Sequence, residues 1–204
     1  MRRRLLLSGV ASAGLVAAVG AAVLLRPEKA DVAVTDADIC IVAPTHAYVP
    51  SSGLAMTAAR EVPAEARCPV CGMYPARYPR WAAQVIFQDG DVHYLDSPLS
   101  LFKYLQQVPR YAPGRHAADI AAVYVTDQDS GHWLPADQAV YVHGSTLTGP
   151  MRAGNLPAFA SEAQAQAFIS QRGGGMMRDA QLRRKLPDDL EVLSPHQHDR
   201  TPKR

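Results

Sequence analysis

The sequence predicts an α+β protein in which two consecutive ββαβ units follow an N-terminal transmembrane helix. Three observations predict this class: an uncharged apolar run at the N-terminus, a β-hairpin pattern followed by a capped helix and a strand, and the return of that order in the second half. The expected segments are an anchor (1–26), a linker (27–66), a first unit (67–128), a second unit (129–189) and a disordered tail (190–204).

The N-terminal segment has the pattern of a membrane anchor. Three arginines precede Leu5–Leu25, a run of 21 residues without a charge. This length spans a bilayer as a helix, and the basic flank stays on the cytoplasmic side, so the rest of the chain is exported. A cleaved signal peptide that leaves a soluble periplasmic protein is the alternative, although Ala18-Val19-Gly20 is a poor cleavage site. In both cases the cysteines reach an oxidising compartment.

The charge balance excludes one class of partner. Beyond Arg26 the chain carries 17 basic and 19 acidic side chains. Binding to a phosphate backbone requires a clustered basic surface. We therefore expect no nucleic-acid partner.

The first unit is predicted from local signals. Apolar residues alternate on both sides of Asp89-Gly90, which is typical of a hairpin turn. Ser97-Pro98 then indicates a helix start, and an apolar stripe continues to about Gln107. The β-rich run Ile120–Thr126 completes the strand, strand, helix, strand order.

The second unit shows the same order of signals. Residues 139–142 and 156–159 have strand composition. Ser161 is expected to cap a helix, with Gln164 placed for a capping box, and Gly173-Gly174-Gly175 to end it. The two predicted helix starts share their spacing to the following apolar pair, which favours a repeated unit.

The chemistry is concentrated in Cys68-Pro69-Val70-Cys71-Gly72-Met73, where three sulfur atoms lie within six residues. Thiolate and thioether sulfur select soft ions, and Cu(I) is the ion that this ligand set favours. A further ligand could come from the second unit. Met151 in Gly149-Pro150-Met151 is the best candidate, because its loop corresponds to the Cys-Gly-Met loop of the first unit.

Other functions fit the same residues. Cys68 and Cys71 could form a structural disulfide in a scaffold protein, or serve as the redox pair of a thiol–disulfide oxidoreductase. Pro75 and Pro79 exclude the long helix that normally follows a redox pair. A closed zinc site lacks a second ligand pair, and methionines are commonly core residues.

The order of these motifs resembles the NosL family of copper accessory proteins. Cys68 to Met73, the hairpin around Asp89-Gly90, the helix start and the later Gly-Pro-Met carry the resemblance, over about residues 67–175. It implies a duplicated ββαβ body, attached to the membrane on its periplasmic side, that binds one Cu(I) without catalytic turnover. It also implies delivery through a membrane-bound maturation machine to the copper centres of nitrous-oxide reductase.

The resemblance also assigns the ligands. The family's Cys-Gly-Met falls on Cys71, Gly72 and Met73, and its later Gly-x-Met on Met151, with Cys68 assisting or acting as a redox gate. Family members are typically lipoproteins, but the early cysteine here, Cys40, does not follow a lipoprotein signal. We expect the N-terminal helix to replace the lipid.

Overall fold

The computed structural model describes residues 43–152 and 156–191, which belong to the unit Ile41–Arg204. Several predictions lie outside the described residues: the anchor 1–26, Cys40, and the part of the tail from residue 192 onward. Within the described ranges, no helix has both the length and the apolar character needed to cross a bilayer.

Seven strands and five helices make up the described fold. The strands are β1 Ala83–Phe87, β2 Val92–Leu95, β3 Ile120–Thr126, β4 Trp133–Pro135, β5 Val140–His143, β6 Ala158–Phe159 and β7 Gly175–Arg178. The helices are α1 Pro98–Gln106, α2 Val108–Tyr111, α3 Glu162–Arg172, α4 Asp179–Arg184 and α5 Asp188–Glu191.

The strands form two antiparallel sheets with the same internal plan. The order is β2-β1-β3-β4 in the first sheet and β6-β5-β7 in the second, so the first strand of each unit lies between the strands that follow it. The α+β class is confirmed, and the order strand, strand, helix, strand occurs in β1-β2-α1-β3 and in β5-β6-α3-β7. β4 lies in the predicted second unit, 129–189, but it pairs with β3 of the first sheet. A bridge between Asp127 and Ala158 connects the end of β3 to β6.

Both predicted helix caps are confirmed. The Ser97 hydroxyl accepts a hydrogen bond from the Ser100 amide at 3.3 Å, and the Ser161 hydroxyl accepts one from the Gln164 amide at 3.2 Å. The predicted capping box takes a different form, because the Ser161 hydroxyl donates to the side-chain oxygen of Gln164 at 3.0 Å. Each cap satisfies a helix amide that has no partner within the helix.

The last strand of the second unit begins inside the glycine run that was predicted only to end a helix. Gly174 has a φ of +100°, and a Cβ there would lie 2.5 Å from the carbonyl oxygen of His143. Only glycine permits this close approach, which turns the chain from α3 into pairing with β5. Propensity alone did not reveal β7, because Gly175 heads a short edge strand that depends on this contact.

Strands β1 and β2 of the first sheet are buried on both faces, although apolar and more polar residues alternate along β1. Part of residues 43–66, expected to be a linker, packs against this sheet. Gln84, on the supposedly polar face, is buried, and its amide exchanges hydrogen bonds of 3.1 and 3.2 Å with the backbone of Arg60. His46 pairs with Val92 along the outer edge of β2. These contacts are tertiary, so they leave no periodic signal in the sequence.

The largest core cluster contains side chains from both units. Phe102 of α1 meets Tyr141 of β5 at a ring-centroid distance of 5.0 Å, edge to face. Leu182 and Leu186 from the C-terminal part belong to the same cluster, as do both Cys68 and Cys71. The cysteine motif therefore lies in the core that the two units share.

A buried histidine attaches the first described residue to the sheet. His93 Nε2 lies 3.0 Å from the carbonyl oxygen of Ala43, and Nδ1 lies 2.8 Å from the Tyr104 hydroxyl. Because a carbonyl can only accept, Nε2 carries the proton and Nδ1 accepts from the tyrosine. Burial of the neutral ring lowers the pKa of His93 from 6.5 to about 4.

We predict that this histidine makes stability fall in acid. Between pH 6.5 and 4 the unfolded state binds the proton that folded His93 rejects, so stability is full above pH 6.5 and declines by about 3 kcal/mol toward pH 4. Urea unfolding of the full chain at several pH values measures this. His93→Gln should remove that part of the decline, whereas the exposed His132→Gln should retain it. An equal decline in wild type and His93→Gln would contradict the assignment.

Candidate metal centre

Residues 68–73 form a tight loop that is closed by its own backbone. The Gly72 amide donates to the Cys68 carbonyl at 2.8 Å, and the Cys68 amide donates to the Met73 carbonyl at 2.9 Å. Gly72 has a φ of +74°, and no described atom lies within 4 Å of the position that a Cβ would take. Glycine is needed here for its backbone conformation, and this conformation returns the Met73 carbonyl to the Cys68 amide.

Two thiols and one carboxylate meet beside this loop. The Sγ atoms of Cys68 and Cys71 and a carboxylate oxygen of Asp96 all lie within 4.8 Å of one another. Both cysteines are thiols, and the Cys71 thiol donates to Asp96 Oδ1 at 3.2 Å. The exposed fractions are 0% for Cys68, 7% for Cys71 and 0% for Asp96. The three side chains could hold one metal ion.

Asp96 has one carboxylate oxygen without a partner. Oδ2 is buried and accepts no hydrogen bond from the described residues. Burying a carboxylate oxygen without a donor costs on the order of 1–3 kcal/mol or more, so such an atom requires an explanation. A bound cation would supply the missing interaction.

The fold places Asp96 by a strand end and a helix start. It lies between Leu95, the last residue of β2, and Ser97, the cap of α1. The hydroxyl of Ser100, in the first turn of α1, lies 4.0 Å from Cys71 Sγ. The free amides and dipole at a helix N-terminus stabilise nearby negative charge, which suits ionised sulfur ligands at this position.

The environment keeps Cys71 protonated until a cation arrives. Its hydrogen bond with Cys68 raises the pKa of the Cys71 thiol far above its ordinary value, and burial and the electrostatic influence of the neighbouring Cys68 and Asp96 side chains raise it further. A hydrogen bond from the Met73 backbone acts weakly in the opposite direction. Cys71 is therefore a poor nucleophile in the metal-free protein, and a bound ion must displace its proton.

The structure brings the predicted cysteines together and places both predicted methionines at the same core. Met73 and Met151 are half-buried and pack against the cluster that contains Cys68 and Cys71. Met177 of β7, which the sequence analysis did not select, packs against that cluster too. The ligand roles of the two methionines remain predictions.

Asp96 is the site residue that sequence reasoning missed. A site for a soft ion is expected to use sulfur ligands, so a carboxylate was not considered. An acidic residue near the start of a helix is also common without any role as a ligand. A usable signal was present, since Asp96 directly follows an apolar strand expected to be buried. A carboxylate at the end of such a strand is costly unless it has a function.

The model of the NosL family matches residues 59–187, a segment that includes the three clustered side chains and both predicted methionines. The chain belongs to the NosL family. This confirms the membership that the motifs indicated, and NosL chains are the appropriate comparison for the site.

Relatives of known name support the same grouping. The chain is 29% identical over 132 residues to the copper-binding lipoprotein NosL of Stutzerimonas stutzeri, covering 64% of this chain and 67% of that protein. It is 32% identical over 137 residues to the protein of the same name from Achromobacter cycloclastes, covering 61% of this chain and 65% of that protein. The chain thus spans about two thirds of the length of these relatives.

A solved structure has a similar fold. The crystal structure of the copper chaperone NosL from Shewanella denitrificans matches with a TM-score of 0.53 and 25% identity, over 61% of this chain and 94% of that one. The described fold is therefore that of a NosL protein.

We predict that Gly72→Ala lowers the free energy of unfolding by about 1–2 kcal/mol, because the left-handed backbone conformation is sterically unfavourable for alanine. Gly175→Ala is the matched control, since Gly175 has neither a positive φ nor a described atom within 4 Å of its Cβ position. Urea unfolding of both variants tests this. Equal losses in the two would show that the backbone of the loop is not what requires glycine.

Proposed function

We propose that this protein is a Cu(I) carrier on the periplasmic side of the cytoplasmic membrane. It passes copper, through membrane-bound maturation machinery, to a copper enzyme, of which nitrous-oxide reductase fits best. The buried cluster of Cys68, Cys71 and Asp96 in a NosL chain is the observation that carries the proposal. The names of the relatives, copper-binding lipoprotein and copper chaperone, support the cargo and the membrane-associated location.

Sulfur provides the main ligands. Cys71 binds as a thiolate and Met73 and Met151 as thioethers, with Cys68 assisting, because soft sulfur ligands favour Cu(I) over harder ions. Asp96 adds negative charge beside the thiols and an oxygen for the ion. Two thiols and a carboxylate also suit Zn(II), so zinc is the ion against which copper selectivity has to be tested.

The location of the loop suits release as well as binding. Cys68 is fully buried, whereas Cys71 has 7% exposure, and Gly72 and Met73 are half-buried. An acceptor can therefore approach from the side of Cys71 and Met73 without unfolding the core. A carrier needs such a route, and it needs no catalytic step.

The thiol–disulfide oxidoreductase is the alternative, and two features disfavour it. Redox-active cysteines have a lowered thiolate pKa, whereas the pKa of Cys71 is raised by Cys68, by burial and by Asp96. The residues after the motif form a single 3₁₀ turn, Pro75–Arg77, in place of a long helix. Both features suit a metal site better than a site of disulfide exchange.

We predict that the reduced full chain in mild detergent binds one equivalent of Cu(I), and binds it more tightly than Zn(II). Anaerobic titration against a colorimetric Cu(I) chelator measures this, with Zn(II) titrated separately. Cys71→Ser should weaken Cu(I) binding by more than about a hundredfold, and Met151→Ala and Asp96→Asn by about tenfold each. These changes remove a thiolate, a thioether and a charge, respectively.

Met56→Ala is the matched control for Met151→Ala, because Met56 is 42% exposed and belongs to the 43–66 stretch outside the site. Its affinity should equal that of wild type. If Met151→Ala behaves like Met56→Ala, Met151 is not a ligand. Absence of Cu(I) binding in the reduced wild type, together with reductase activity on a model disulfide, would replace the carrier with the oxidoreductase.

We predict that the chain remains in the membrane through its first 26 residues. The 21 uncharged residues are long enough to hold it there after high-salt and alkaline washing, and detergent should release it. Mass spectrometry of the released protein should show the N-terminal segment intact. Recovery of a soluble form that lacks this segment would favour the cleaved signal.

A further inference from the structure

Two arginines flank one tyrosine beside the metal loop. Arg67 directly precedes Cys68, and Tyr74 directly follows Met73. The guanidinium carbons of Arg67 and Arg77 lie 4.3 and 4.7 Å from the centroid of the Tyr74 ring. Arg67 also donates to the carbonyl oxygen of Gly72 at 3.3 Å and to the Tyr74 hydroxyl. We call Arg67, Tyr74 and Arg77 the cationic rim.

The positive charge of the rim is not balanced by the described part of the chain. Both arginines are exposed, and neither forms an ion pair with a described carboxylate. Three described arginines are paired, Arg115 with Asp89 and Asp91, Arg178 with Glu162, and Arg183 with Asp179, whereas others such as Arg80 and Arg110 also form no ion pair with a described carboxylate. The rim differs from these in that two unpaired arginines share one ring.

Intrinsic stability does not explain why two positive groups share one ring. Two positive charges held against one ring repel each other by several tenths of a kcal/mol in water. Contact with the aromatic face offsets part of that cost. Contact with the ring also restrains both guanidinium groups, and both side chains remain exposed. A planar, preorganised fork of donors matches a carboxylate.

We infer that the cationic rim is a docking surface for the acidic face of a protein that accepts the copper. The inference rests on the proposed carrier function. The rim borders Gly72 and Met73, the half-exposed side from which an acceptor can reach Cys71. Attraction between the rim and acidic side chains raises the rate of productive encounter and orients the acceptor's ligands toward the loop.

The test compares the rate of Cu(I) transfer from the loaded full chain to two chelators with the same nitrogen donors. Bathocuproine disulfonate is anionic and stands in for an acidic acceptor, whereas neocuproine is uncharged. At low ionic strength, Arg77→Glu should slow transfer to the anionic chelator at least threefold and leave transfer to neocuproine unchanged. The difference should vanish in about 0.5 M salt.

Arg110→Glu is the matched control. Arg110 also lies over a tyrosine ring, at 5.6 Å from the Tyr111 centroid, but it lies beyond the far end of α1 from the site. The same charge change there should alter neither rate. Arg77 is preferred to Arg67 as the variant because Arg67 also supports the loop by its bond to Gly72.

Three results would overturn the inference while preserving the carrier. The first is equal slowing with both chelators, which indicates a change in the loop. The second is no slowing with either chelator. The third is suppression of the effect by sulfate but not by chloride of equal ionic strength. The last result would identify a site for a free oxyanion. Failure of the wild-type protein to load Cu(I) would remove the proposed function and the inference together.

Discussion

The contact between the Cys71 thiol and the Asp96 carboxylate is the interaction around which the site is organised. A buried carboxylate is costly in a core without partners, and the 3.2 Å contact with the thiol requires two distant segments to meet. The left-handed Gly72 turns one segment inward, and the cap at Ser97 fixes the other. Oδ2 of Asp96 remains without a described donor, and a cation could supply the missing interaction.

The need to keep water away from Asp96 also explains why β2 is covered by residues 43–66. The strand that delivers Asp96, β2, would be an exposed edge if residues 43–66 did not pair with it at His46. An open edge would let the strand fray and would let water reach the carboxylate. The buried pair of His93 and Tyr104, between β2 and α1, adds a second attachment of this stretch through Ala43.

Local features were predictable from the sequence, and tertiary ones were not. The turn at Asp89-Gly90 and the cap at Ser97 depend on neighbours within a few residues, so their residue types reveal them. A glutamine in a strand usually indicates a solvent-facing position. Gln84 is instead buried, and its amide forms hydrogen bonds with the backbone of Arg60. Asp96 was missed for a similar reason: its role depends on Cys71, 25 positions away.

Charge balance explains the unequal roles of the two cysteines. One Cu(I) compensates one negative charge, so two thiolates and a carboxylate around it would leave two charges buried, at a cost of several kcal/mol each. The side chains of Cys68 and Cys71 are hydrogen-bonded to each other, and one thiolate with a thiol beside it leaves less buried charge than two thiolates. Cys71 is the more exposed of the two, at 7% against 0%, and is therefore the sulfur that an arriving ion meets first. Cys68, in the fully buried position, then stabilises the ligand by hydrogen bonding, and the ion can leave by the same side from which it came.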